Sequence, residues 1–141
     1  EHVERGGEQF VEICLADTMG WATPVMLRAR IEAVRERFPG SIVSLHLHDT
    51  RGSGMANVYA GLEAGVDIFD CSIGGLGGCP FAKGAAGNVP TEDVAFLCEE
   101  LGISTGLDLD KLAAAAVLAE AIVGTPLPGK FYKTWRARCG G

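Results

Sequence analysis

The sequence predicts an α/β fold built on a parallel sheet, and three observations lead there. Apolar residues cluster or alternate in three short, strand-like stretches. The first two stretches are each followed by a segment with apolar residues at helical spacing, and these units close on Pro-Gly or Gly. Strands alternating with helices of that length imply right-handed crossovers, which place the strands parallel.

Each element follows from its residues. Val11, Ile13 and Leu15 alternate over residues 10–16 and predict a strand ending at Asp17. Thr23-Pro24 reads as an N-cap and the favoured first helical residue, and Leu27, Ile31, Val34 and Phe38 carry the helix to its stop at Pro39-Gly40. Ile42, Val43, Leu45 and Leu47 make a second strand, and Met55, Val58, Tyr59 and Leu62 mark a second helix with Gly65 beyond its end. Val66 to Ile73 is the third strand. Two further helices are expected at 91–101, on Val94, Leu97 and Leu101, and at 109–123 with Asp108 as cap.

Three strands are few for a doubly wound sheet and fall short of the eight in a (β/α)8 barrel of about 250 residues. A partial TIM barrel explains the shortage. Residues 1–124 are expected to form that partial-barrel domain, and residues 125–141, with two prolines and no periodicity, an irregular C-terminal tail.

Composition narrows the function. The chain has 141 residues and a net charge of −6, with no cluster of Lys or Arg, which argues against nucleic acid as a partner. The longest apolar run, Leu112 to Gly124, is interrupted by Glu120 and is shorter than the roughly 20 residues that span a bilayer, so no membrane partner is expected. Neither is a secretory leader, and a cytoplasmic location is expected. Five irregularly spaced cysteines without a C-x-x-C pair speak against a disulfide scaffold or an all-Cys zinc site.

Glycine is about twice as frequent as the usual 7%, and six of the 20 glycines fall between Gly74 and Gly87. That concentration reads as one ordered, functional loop. It lacks the Gly-Lys-Ser/Thr ending of a phosphate-binding P-loop and does not open directly onto a helix as a dinucleotide fingerprint does. It carries Cys79, which reads equally as a small loop residue or as a thiol folded over a ligand.

His46 and His48 stand at i and i+2 on the second strand, on one face and roughly 7 Å apart by strand rise. Two imidazoles so placed reach one metal, although a lone H-x-H also suits histidines bonded to polar neighbours. The pair runs into Asp49-Thr50-Arg51-Gly52 at the strand end where α/β sheets place their sites. Asp17 occupies the same end of the first strand, either as a site acid or as a turn residue bonding backbone N–H groups.

These residues resemble a known family. His46-Leu47-His48-Asp49-Thr50, Gly74 with Leu76-Gly77-Gly78-Cys79-Pro80-Phe81-Ala82, Gly84-Ala85-Ala86-Gly87-Asn88 and Thr91-Glu92-Asp93 are similar to 3-hydroxy-3-methylglutaryl-CoA lyase, with Leu15-Ala16-Asp17-Thr18-Met19-Gly20 as a further match. The Gly-Gly-Cys-Pro loop is the most specific part. The resemblance implies the C-terminal half of a metal-dependent (β/α)8 barrel that cleaves a 3-hydroxyacyl-CoA to acetyl-CoA and a keto acid, acetoacetate for the parent substrate. It implies Mg²⁺ or Mn²⁺ held by His46, His48 and Asn88, proton removal by Asp17 and His46, and proton transfer at the enolate carbon by Cys79.

The family's Arg-Asp pair on the first barrel strand has no counterpart here, so roughly half of the barrel is absent and the site is incomplete. Arg51 stands where an aromatic residue is common, and Lys83 where a neutral one is. Two other readings remain: an aldolase or condensing synthase of the same superfamily, and a non-catalytic half-barrel that associates with itself. The Cys79 loop favours the lyase. A half-barrel exposes strand edges and its inner face, so a homo-oligomer is expected.

Overall fold

The computed structural model of the chain describes residues 11–78 and 87–139. The elements are β1 (Glu12–Asp17), α1 (Pro24–Arg37), β2 (Ile42–Leu47), α2 (Gly54–Glu63), β3 (Ile68–Asp70), a 3-10 turn (Ile73–Gly75), α3 (Thr91–Glu100), α4 (Leu109–Val123) and α5 (Phe131–Cys139). The strands form one parallel sheet in the order β1-β2-β3. Sheet, flanking helices and open edges are those of a partial barrel, as the sequence predicts.

Local chemistry sets the helix ends. The Thr23 hydroxyl accepts from Met26 N at 3.3 Å with Pro24 in the first turn, and the Asp108 carboxylate accepts from Lys111 N at 3.1 Å. α4 stops at Gly124, whose φ of 75° is left-handed.

One side of the sheet is covered. Val43, Leu45 and Leu47 point into a core shared with Leu27 and Ile31 of α1, Val58 and Ala60 of α2, and Val94 and Cys98 of α3. Tyr59 leaves this core and is 43% exposed, because α2 lies against β2 through small residues: a β-carbon at Gly61 would press into Leu45 and Phe69. On the other side, register aligns Cys14, Ser44 and Ile68 in one layer and Ala16, His46 and Asp70 in the next. Ile42 and Ile68 are exposed there, as befits the inner wall of a barrel that does not close within these residues.

The third strand is shorter than its apolar run suggests. Pairing stops at Asp70, Ser72 instead bridges Pro90, and the chain turns through Ile73–Gly75, where Gly74 N donates to the buried Glu92 carboxylate at 3.0 Å.

The expected irregular tail is mostly helix. Asp93 of α3 caps α5 by accepting from Lys130 N and Phe131 N, at 3.0 and 2.7 Å. Tyr132 is fully buried in a second, smaller core with Ala113, Ala116 and Leu127. A nine-residue segment shows too little periodicity to predict this helix, which tertiary partners hold in place. Among the described residues, no helix is long and apolar enough to cross a membrane.

Candidate metal centre at the strand ends

His46 lies on β2 in register with Ala16 and Asp70, at the carboxyl end of the sheet. His48 follows just past the strand, held there because the chain between Gly87 and Val89 crosses antiparallel beside it. Asp49 N donates to Gly87 O at 2.9 Å and Val89 N to Leu47 O at 3.1 Å, so Asn88 stands opposite His48. Three residues separated by 42 positions thus meet through backbone hydrogen bonds.

The two imidazoles face each other through their Nε2 atoms, 3.2 Å apart, with rings tilted by 54°. His46 Nδ1 donates to the Asp70 carboxylate at 2.7 Å. His48 is 6% exposed, and its pKa is lowered first by burial and then by His46; the charge of Asp17 and the Asn88 amide work in the opposite direction. A neutral, buried imidazole is the protonation state a metal requires.

Asn88 donates through Nδ2 to Leu76 O at 2.9 Å, while its Oδ1 is buried without a hydrogen-bond partner, as is His48 Nδ1. Gly77 makes the contact possible. Its φ of +99° and its missing side chain let the loop backbone lie on the Asn88 amide, where a β-carbon would come within 2.7 Å of Nδ2.

The other expected site residues are placed differently. Asp17 alternates with Ala16, which pairs with His46, so it starts from the opposite side of the sheet. Both of its oxygens accept backbone N–H groups, from Trp21 and Ala22, each at 2.9 Å. That is the turn-residue alternative, although its charge still acts on His48. Arg51 ties the neighbouring loop down, donating to Met19 O at 2.6 Å and lying over the Trp21 ring. Cys79 lies outside the described residues.

Sequence reasoning missed Asp70. The third strand expected from sequence runs on to Ile73 and so leaves Asp70 inside it; only the observed register places this acid at the strand end, level with His46. Glu92 and Asp93 also gain roles the motif alone did not supply. Glu92 anchors Gly74 at the root of the glycine loop, its pKa raised by burial, and Asp93 caps α5.

Among the described residues, no group of three or more His, Cys, Asp or Glu side chains is placed to hold a metal. The donors present are two imidazole nitrogens and a carboxamide oxygen. They fit part of a divalent site: nitrogens at right angles around an ion at about 2.1 Å would stand about 3 Å apart, close to the observed 3.2 Å. The buried, unpartnered Asn88 Oδ1 points to the same use.

Comparison with known proteins adds to this geometry. Residues 4–118 match the family model described as HMGL-like. The hydroxymethylglutaryl-CoA lyase of Bacillus subtilis is 42% identical over 126 residues, covering 89% of this chain and 42% of that protein. Its crystal structure superposes with a TM-score of 0.85 over the same shares. The (R)-citramalyl-CoA lyase of Chloroflexus aurantiacus is 46% identical over 83% of this chain and 37% of its own length. An HMG-CoA lyase from Acinetobacter baumannii, solved in complex with coenzyme A and 3-methylmalate, is 45% identical with a TM-score of 0.79, over 86% of this chain and 40% of that one. The chain therefore spans about two-fifths of the length of these relatives.

Proposed function

The chain belongs to the HMGL-like family, and we propose that it carries the metal-holding part of a carbon–carbon lyase acting on 3-hydroxy-3-methylglutaryl-CoA or a close 3-hydroxyacyl-CoA. Its products are acetyl-CoA and a keto acid. The observation that carries this reading is the pair of Nε2 atoms 3.2 Å apart, with the buried, unpartnered Asn88 Oδ1 supplied by the neighbouring segment. The lyase relatives support the reaction class, and the citramalyl-CoA relative widens the substrates to be tried.

In this reading His46, His48 and Asn88 hold Mg²⁺ or Mn²⁺, and oxygen donors from substrate, water or the rest of a barrel complete the set. When bound, such an ion supplies Lewis acidity at the substrate hydroxyl and at the carbonyl that develops from it. Asp17 takes the hydroxyl proton, releasing one of its two backbone donors to do so, and His46, with both ring nitrogens engaged, serves as a ligand. The electron pair of the breaking C–C bond becomes the acetyl-CoA enolate, and Cys79 returns a proton to its carbon. Among the described residues the inner face is left uncovered at Ile42 and Ile68, which supports work in association, with a second copy of the chain or with the rest of a barrel.

Metal uptake is the decisive test, because it asks only for residues this chain contains. Titration with Mn²⁺, followed by electron paramagnetic resonance, is expected to show binding that His48→Ala abolishes. A chain that takes up no Mn²⁺ overturns the reading. Acetyl-CoA release from 3-hydroxy-3-methylglutaryl-CoA and from citramalyl-CoA, with Cys79→Ser as control, then identifies the substrate.

A further inference from the structure

We propose that Asp70 is a positioning residue that presets His46 for metal ligation by selecting its tautomer. The inference rests on the metal-centre reading above and extends it to a residue that neither the H-x-H motif nor the glycine loop contains. An ionised carboxylate only accepts hydrogen bonds, so the 2.7 Å contact between Asp70 Oδ2 and His46 Nδ1 requires the proton on Nδ1. In the neutral ring, Nε2 is then a bare lone pair, and it is Nε2 that faces His48.

The contact is built into the sheet. His46 and Asp70 are directly paired residues of β2 and β3, so ladder hydrogen bonds fix their separation. It adds little to stability, since the Asp70 side chain is 67% exposed and such pairs are worth at most about 1 kcal/mol. Its effect is on geometry and proton position, as carboxylates behind metal-ligating histidines act generally.

The pair is consequently asymmetric. With His46 Nε2 bare, the 3.2 Å contact is made by a proton on His48 Nε2, which leaves His48 Nδ1 as the buried acceptor without a partner. His46 is ready to ligate in the free protein, whereas His48 must first move its proton to the other ring nitrogen.

Nitrogen-15 NMR of the imidazoles in the metal-free chain tests this directly. The expected result is His46 protonated at Nδ1 and His48 at Nε2. Asp70→Ala is expected to convert His46 toward the Nε2–H tautomer that free histidine favours, and to weaken Mn²⁺ binding about 10–100-fold. Asp70→Asn, which keeps an acceptor oxygen, restores both to near the parent values. Far-UV circular dichroism is expected to be the same in all three. A His46 tautomer unchanged in Asp70→Ala overturns the inference even if Mn²⁺ binds, whereas a parent chain without Mn²⁺ binding overturns the metal-centre reading and leaves the tautomer to be judged by NMR alone.

Discussion

Two regions of this molecule gather polar side chains, and they treat them in opposite ways. In the corner between α4 and α5, the Glu120 carboxylate receives Leu127 N at 3.2 Å, Arg136 Nη1 at 2.6 Å and the Tyr132 hydroxyl, and Asp93 closes the first turn of α5. At the strand ends, His48 Nδ1 and Asn88 Oδ1 have no partner, and two imidazole nitrogens face each other. Leaving a buried polar atom unpaired costs about 1–3 kcal/mol. A satisfied network stabilises, whereas polar atoms left unpartnered beside a facing pair of imidazole nitrogens are arranged for something that is not protein.

The comparison breaks if the two regions respond alike to mutation. The largest effect is expected in the corner: Tyr132→Ala removes a fully buried ring and should lower stability by about 3–5 kcal/mol in urea unfolding, with Mn²⁺ affinity unchanged in whatever fraction remains folded. Loss of metal affinity in the folded fraction would join the two regions into one unit.

The pH dependence of stability sharpens it further. The Tyr132 hydroxyl first, and then Arg136, hold Glu120 down to about 2, below its ordinary value of 4.5. A depressed carboxyl contributes stability that is complete above the unfolded pKa and is lost as pH falls toward the folded one. The urea midpoint should therefore fall between about pH 5 and pH 2 more steeply in the parent than in Glu120→Gln. Equal slopes would show that the corner network carries no charge-dependent stability.

The smallest stability change is expected where the functional loss is greatest. His48→Leu replaces a buried imidazole with an unpartnered nitrogen by an apolar side chain, so unfolding free energy should stay within about 1 kcal/mol of the parent or rise, while Mn²⁺ binding disappears. A loss of several kcal/mol would make His48 a structural residue and remove the contrast.

The fold was legible in the sequence wherever one local signal decided it. Thr23-Pro24 and Asp108 mark where α1 and α4 start, because capping is settled within a few residues. The third strand and the tail were less legible: β3 ends early because Ser72 pairs with Pro90, and α5 forms because Asp93 and Glu120 reach it from other helices. Neither cause lies within the segment it shapes.

The same division runs through the site. His46 and His48 were legible because a period of two puts them on one face, and Asn88 only through the family resemblance. Sequence by itself determined the α/β class, the partial barrel and the histidine pair, since periodicity and capping act over a few residues. Only tertiary structure decided that Asp17 holds a turn with both oxygens, that Asn88 stands opposite His48, and that Asp70 backs His46. Those contacts depend on strand register and on where the chain returns after the glycine loop, and register is set by packing over the whole sheet.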